Sequence, residues 1–281
     1  MIKVDSLSKS YGAIQAVNKV SLDIPTGQIF GLLGPNGAGK STCISMMTGL
    51  IDADSGSVSL AGLDPQSVKA RHSIGLVPQS LALYEELTAI NNLSFFAALY
   101  DIDSKQKDDR INWALEFVGL QDRATDTVSE YSGGMKRRLN LAASLLHDPD
   151  YIFMDEPTAG VDPQSRNKLF DNVLELKEQG KTIVYTTHYM EEAQKLCDKV
   201  GIVDQGKLLA LGTVSELLSE YGGDTKISIS SEQGIKTFSS GNASDDLIKE
   251  LKVSDKVYDI SMVRPDLEKV FLNLTGRQLR D

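Results

Sequence analysis

The chain has 281 residues, with 29 Lys+Arg against 39 Asp+Glu and a formal net charge of −10; hydrophobic residues make up 41% and charged residues 24%. That composition excludes disordered, collagen-like and disulfide-built chains, and the length suits one large domain with a small one. The acidic balance argues against broad binding to nucleic acid or anionic lipid.

Taken in chain order, Ile2 to Leu7 and Val17 to Ile24 read as strands, separated by Tyr11-Gly12. Gln28 to Leu33 is a short apolar strand that runs into a glycine-rich loop, and Lys40 to Leu50 follows as a helix ending near Gly49. Val58 to Leu60 and Ile74 to Val77 are further short strands. From Glu85 to His147 apolar residues recur at helical spacing, as at Leu87, Ile90, Leu93, Phe96 and Ala97. Tyr151 to Met154 is an apolar run continuous enough to be buried on both faces. Pro163 opens a helix that Gly180 closes. Thr182 to Thr187 is another buried strand, and Val200 to Val203 with Lys207 to Leu211 brackets a hairpin at Asp204-Gln205-Gly206. A short helix from Val214 to Tyr221 leads to Gly222-Gly223-Asp224, where a boundary is expected. Beyond it, strands are predicted over Lys226 to Ser230 and Tyr258 to Val263, and helices over Asp245 to Leu251 and Asp266 to Leu274. Roughly sixty residues make a marginal core alone. The reading is thus a domain over 1–222, with a helical part over about 85–149, and a small α+β domain over 223–281.

The longest apolar patch, around Phe95 to Tyr100, is flanked by Asn and Asp and is too short to span a bilayer. The first residues lack the apolar segment of a signal peptide, so neither a membrane crossing nor export by that route is expected. Cys43 and Cys197 show no paired spacing, which fits a reducing cytosol.

Gly34-Pro35-Asn36-Gly37-Ala38-Gly39-Lys40-Ser41-Thr42 fits the P-loop pattern. It follows an apolar strand and precedes a helix, as the chemistry requires. Glycines let backbone N–H groups curl around a phosphate, and the helix N-terminus adds the positive end of its dipole. Lys40 would reach the β- and γ-phosphates, and the Ser41 hydroxyl would ligate Mg²⁺. A second strand, Tyr151 to Met154, ends in Asp155-Glu156: Asp155 suits a Mg²⁺ contact and Glu156 suits polarising an attacking water. Between these motifs lies Tyr131-Ser132-Gly133-Gly134-Met135, followed by Lys136-Arg137-Arg138-Leu139.

Ser-Gly-Gly before a helix, upstream of an apolar strand ending in Asp-Glu, resembles the signature of ATP-binding cassette (ABC) ATPases. Gln79 in Val77-Pro78-Gln79 looks like the Q-loop glutamine, Ala159-Gly160-Val161-Asp162 like the D-loop with Asp162 its acid, and His188 like the switch histidine. Tyr11 in Lys9-Ser10-Tyr11-Gly12 looks like the aromatic residue that stacks on adenine. The resemblance covers Met1 to about Leu218. It implies an α/β P-loop NTPase fold with a RecA-like core, an antiparallel β subdomain and an α-helical subdomain. It also implies head-to-tail pairing, each ATP held between one P-loop and the partner's Ser132, Gly133 and Gly134. In that arrangement Asn36, Gly37, Gly39 and Thr42 belong to the nucleotide cradle. Glu156 would orient water, His188 would contact the γ-phosphate, and Gln79 would ligate Mg²⁺ and couple the site to a partner.

The usual signature, Leu-Ser-Gly-Gly-Gln, is altered here at both ends, by Tyr131 and Met135. This form resembles exporters of the drug-resistance and sodium-extrusion type, as do Leu83 to Thr88 and the ending Pro265 to Gly276. The resemblance implies the ATPase subunit of a bacterial or archaeal exporter at the cytoplasmic face of the membrane. Its partners would be a separate permease, cradled around Gln79 to Tyr100, and a second copy or a paralogue. Membrane contact would come only through the permease, with no nucleic acid bound. An importer ATPase would share the cassette but more often carries a β-barrel-like tail. A soluble non-transport ABC ATPase typically carries two cassettes or a long coiled coil. A metabolite kinase would share only the P-loop.

Overall fold

The computed structural model describes residues 1–253 and 256–276, so part of the 223–281 domain expected from the sequence lies outside the described residues. It divides into two compact units, Met1–Leu211 and Gly212–Asp281.

The first unit begins with β1 (Ile2–Tyr11) and β2 (Ile14–Ile24), antiparallel with Ile2 opposite Ile24 and Tyr11 opposite Ile14. β3 (Ile29–Leu33) is buried throughout. α1 (Lys40–Met47) turns Cys43, Ile44, Met46 and Met47 inward and ends earlier than Leu50, with Gly49 at φ 71° beyond it. β4 (Ser55–Leu60) returns to pair antiparallel with β1. The single turn α2 (Val68–Arg71), capped by the Ser67 hydroxyl, leads into β5 (Ile74–Val77).

Three helices then fill the region whose spacing is helical. α3 (Ala89–Leu99) is capped by Thr88, α4 (Ser104–Phe117) by Asp103 and α5 (Gly133–Leu145) by Ser132, each side chain accepting a backbone N–H of the first turn. β6 (Tyr151–Asp155), α6 (Pro163–Glu178), β7 (Thr182–Thr187), α7 (Met190–Leu196), β8 (Lys199–Asp204) and β9 (Lys207–Gly212) complete the unit. Gln205 and Gly206 join β8 to β9 at φ 49° and 75°, the double left-handed turn that matches strand twist in a tight hairpin.

The main sheet has the order β5-β6-β7-β3-β8-β9, and the pairings from β5 through β8 are parallel. Its strands alternate between two cores. Ile29, Ile152, Met154, Ile183 and Tyr185 face the cluster built with Leu93, Ala97, Leu115 and Leu139 of α3 to α5. Phe30, Leu32, Phe153 and Val184 face the cluster built with Ile2, Val4, Val17 and Ile44. Each such large side chain contributes about 1.5–3 kcal/mol through burial. Both cysteines are free, and burial pushes the Cys43 thiol up to about 12. Among the described residues no helix is long and apolar enough to cross a membrane.

The second unit contains α8 (Val214–Tyr221), β10 (Thr225–Ser231), β11 (Gly234–Ser240), α9 (Ala243–Val253), β12 (Val257–Val263) and α10 (Leu267–Thr275). Its sheet has the order β11-β10-β12, with Ile227 and Ile229 of the central strand fully buried. α8 opens on a capping box between Thr213 and Glu216. It belongs with this unit because α10 packs on it, and Asn273 Nδ2 donates to the Tyr221 carbonyl at 2.7 Å. The division therefore falls after Leu211 rather than at the Gly222 boundary read from the turn residues.

Candidate functional site

Because β5, β6, β7 and β3 run parallel side by side, their C-terminal ends lie along one edge of the sheet. Gln79 follows β5, Asp155 ends β6 and Glu156 follows it, His188 follows β7, and the loop over residues 34–39 with the start of α1 follows β3. Parallel α/β sheets place their ligand crevices at this edge.

The loop keeps its curl through glycine. Gly39 has φ 103°, and a Cβ there would stand 2.3 Å from the Ala16 carbonyl oxygen. Lys40, 4% exposed, is the first residue of α1. Its Nζ donates to Gly34 O at 2.9 Å and Pro35 O at 3.1 Å, and lies 3.0 Å from Glu156 Oε1. Over the loop opens a cavity of about 400 Å³. It is lined by Asn36, Gly37, Gly39, Lys40, Ser41 and Thr42 of the loop and helix start, and by Tyr11, Ala16, Gln79 and Glu156. Tyr11 is 51% exposed, with Lys9 Nζ at 6.0 Å from its ring centroid.

Glu156 is the hub of the site. Its backbone is left-handed at φ 45°, a conformation that costs a non-glycine residue about 1–3 kcal/mol and persists only where neighbours enforce it. The neighbour is Thr186: the Glu156 N–H donates to its hydroxyl at 3.0 Å and its carbonyl at 3.2 Å. The Thr186 hydroxyl in turn donates to Asp155 Oδ1 at 2.6 Å. Glu156 Oε2 meets His188 Nδ1 at 3.1 Å and Gln79 Nε2 at 3.3 Å. One carboxylate thus gathers the P-loop lysine, the strand-end histidine and Gln79. Asp155, 8% exposed, stands behind it rather than in the cavity wall.

The signature turn lies elsewhere. Ser132 caps α5 by accepting the Met135 N–H at 3.2 Å, and Ser132 and Gly133 are exposed. None of Ser132, Gly133, Gly134 and Asp162 lines the cavity over the loop. Gly134 abuts α6: a Cβ there would stand 2.2 Å from Ser165 Oγ and 3.3 Å from Asp162 Oδ2. Asp162 caps α6 through the N–H groups of Ser165 at 3.0 Å and Gln164 at 3.1 Å, and these bonds hold its carboxyl below the usual range.

Two supporting residues escape a motif search. Arg137 donates to the Gln79 carbonyl and, at 3.3 Å, to the Ala159 carbonyl. It ties α5 to the segments that follow β5 and β6. Nothing in the basic run Lys136-Arg137-Arg138 distinguishes the member with this task. Thr186 is equally indistinct, because Thr182, Tyr185 and Thr187 of the same strand also carry hydroxyls.

Residues 17–159 match the sequence pattern of the family described as ABC transporter. The chain belongs to the ABC transporter family. It is 42% identical to the linearmycin resistance ATP-binding protein of Bacillus subtilis, over all of both chains. It is 35% identical to a daunorubicin resistance ATP-binding protein of Streptomyces coeruleorubidus, over 99% of this chain and 97% of that one. Among solved structures, a dimeric ATP-binding cassette in a post-hydrolysis state bound to ADP and Pi superposes with a TM-score of 0.69. It is 26% identical, with 76% of this chain and 98% of that chain covered. The chain is therefore an ATP-binding subunit with the P-loop NTPase fold of ABC ATPases, a family whose ATP hydrolysis is coupled to transport.

Proposed function

We propose that this chain is the ATPase subunit of an exporter and that it hydrolyses ATP between two head-to-tail copies, or between itself and a paralogue. The observation that carries the catalytic reading is the convergence of Lys40, Gln79 and His188 on Glu156 at the cavity wall. The signature turn, exposed and outside that cavity, fits a role in the partner's site. Ser132 and the first N–H groups of α5 offer a second phosphate cradle.

In this reading Tyr11 presents its exposed face to adenine. Backbone N–H groups of Gly37 to Thr42 and the N-terminus of α1 hold the phosphates. Lys40 has three N–H donors, already directed at Gly34 O, Pro35 O and Glu156 Oε1, so a γ-phosphate recruits it by displacing one of them. Glu156 then accepts a hydrogen bond from the attacking water, and His188 and Gln79 hold its carboxylate in place. Ser41 and Gln79, which line the cavity, would supply a hydroxyl and an amide, and Asp155, outside the lining, would supply its carboxylate through a water. Among the described residues no cluster of three or more His, Cys, Asp or Glu side chains forms a dedicated metal cage. Such a sparse oxygen donor set suits Mg²⁺ that arrives with the phosphates and keeps its waters. A Mg²⁺ held there would supply charge neutralisation to the phosphate oxygens.

The exporter reading draws on full-length relatives named for drug resistance. It places the chain at the cytoplasmic face of the membrane, held by a separate permease. A docking surface for the permease is available at Tyr84, Leu87, Phe95 and Leu99, which are 48%, 38%, 43% and 65% exposed, Tyr84 and Phe95 meeting edge to face at 5.0 Å.

The test is Glu156→Gln. This variant should bind ATP, lose at least about a hundredfold in turnover and accumulate as an ATP-dependent dimer in size-exclusion chromatography. Hydrolysis at the wild-type rate would show that another group polarises the water.

A further inference from the structure

Besides Asp155 and Glu156, a third acid is buried that none of the motifs accounts for. Glu192, on α7, is 1% exposed. Its Oε1 accepts a hydrogen bond from the Thr158 hydroxyl at 2.8 Å. Its Oε2 accepts from the Tyr185 hydroxyl at 3.0 Å and the Thr187 hydroxyl at 2.9 Å. The Thr187 oxygen accepts the Tyr189 N–H at 2.9 Å, which turns its own hydrogen toward Glu192. Burial, then the neighbouring Glu192, pushes the Tyr185 hydroxyl well above its ordinary range, so Tyr185 remains a donor.

The donors come from two places that matter. Thr158 lies two residues beyond Glu156, and Thr187 immediately precedes His188. Glu192 therefore joins the segment leaving β6 to the end of β7. Thr186 enforces the left-handed backbone of Glu156 from one side, through its N–H. Glu192 anchors the following segment from the other, through Thr158. α7 is only seven residues long and has no side-chain cap at its start; besides Glu192, the chain just after His188 is held by the Tyr189 N–H bond to Thr187 and by the burial of Met190 and Ala193.

We infer that Glu192 is a positioning residue for hydrolysis: by pinning Thr158 and Thr187 it sets the contact between Glu156 and His188. The inference rests on the reading of Glu156 as the group that polarises water. Misplacing a reacting group by about 1 Å costs on the order of a hundredfold in rate. Loss of Glu192 should act there, and not on nucleotide binding, because neither Glu192 nor its hydroxyl donors line the cavity over the P-loop.

The experiment compares full-length Glu192→Gln, Glu192→Ala, Thr158→Val and Glu156→Gln by steady-state ATPase kinetics and thermal unfolding. Glu192→Gln keeps the shape but replaces one acceptor oxygen with an amide donor. It should lower kcat about ten- to a hundredfold with the KM for ATP within about twofold. Thr158→Val removes one of the three bonds to Glu192, with a long 3.5 Å contact to the Tyr185 hydroxyl, and should give a smaller deficit of the same kind, which covers the case in which a Glu192 variant fails to fold. Two results would overturn the inference: a folded Glu192→Gln with unchanged kcat, or a kcat and melting temperature that fall together while KM rises, as a purely structural anchor would give. If Glu156→Gln remains active, the underlying reading fails. If Glu156→Gln is dead while Glu192→Gln and Thr158→Val run at full speed, this inference alone fails.

Discussion

Lys40 and Glu156 are 4% and 6% exposed, and their side chains meet at 3.0 Å. Taking away the ammonium therefore has two effects. It removes a charge-assisted phosphate contact worth roughly 1.5–3 kcal/mol, and it leaves a buried carboxylate without its cation. Lys40→Ala should weaken nucleotide affinity about ten- to a hundredfold, read by equilibrium binding of a fluorescent analogue; unchanged affinity would sink the P-loop assignment. The same variant should melt earlier, and adding Glu156→Gln should restore part of the loss, since an unpaired buried charge is the costly state. The gathering of the P-loop, Gln79, Glu156 and His188 at one sheet edge was legible in the sequence: the P-loop and Glu156 through motifs that follow apolar strands, Gln79 and His188 only through the family resemblance. Thr186 and Arg137 were not. They act on backbone groups brought near by β6 and by the segment after β5, and any hydroxyl or guanidinium in a plausible place looks the same in one dimension.

At the scale of elements, the turn after α5 carries a titrating contact. His147 stacks on Tyr100 with ring centroids 3.8 Å apart, and its Nε2 meets the Ile74 carbonyl at 2.8 Å. Burial lowers its pKa, partly opposed by the bond to Ile74. The unfolded chain, with an ordinary value of about 6.5, takes up a proton that the folded chain resists. Stability from this group is complete above that pH and declines below it. Melting temperature should fall from pH 7.5 to 5.5, and His147→Gln should flatten that slope; an equal slope in the variant would remove His147 as the cause. Gly134 sets the closest approach of α5 to α6, so Gly134→Ala should destabilise by about 1–3 kcal/mol through overpacking. An unchanged melting temperature would mean that Ser165 yields freely. The long helices and apolar strands were readable from period and caps. β11 was not, because Gly-Ile-Lys-Thr-Phe-Ser-Ser offers too few apolar residues for a period. α2 and α7 are too short, at 4 and 7 residues, to show one.

For the molecule as a whole, the division after Leu211 decides where a truncation can succeed. A chain cut after Leu211 should bind nucleotide as the full chain does, because every residue lining the cavity over the P-loop lies before that point. A cut after Gly222 strips α10 from α8 and should aggregate in light scattering. If the longer fragment proves the better behaved, α8 belongs with the first unit. Turn residues at Gly222-Gly223 pointed to the wrong side of α8 because a glycine pair marks the end of a helix, not the set of neighbours that helix keeps.

The hairpin between β8 and β9 also reaches the nucleotide loop from behind. The Gly206 N–H donates to the Ala38 carbonyl at 3.0 Å, and the Asn18 N–H donates to the Gly206 carbonyl at 2.8 Å. The cavity over the P-loop is thus moulded by chain far downstream of its motif. Gln205, exposed at the tip of that turn, would look on a surface map like a harmless place for a fluorophore or epitope tag. An insertion there would instead slacken the cradle, so probes meant to report on this protein without disturbing it belong on another turn.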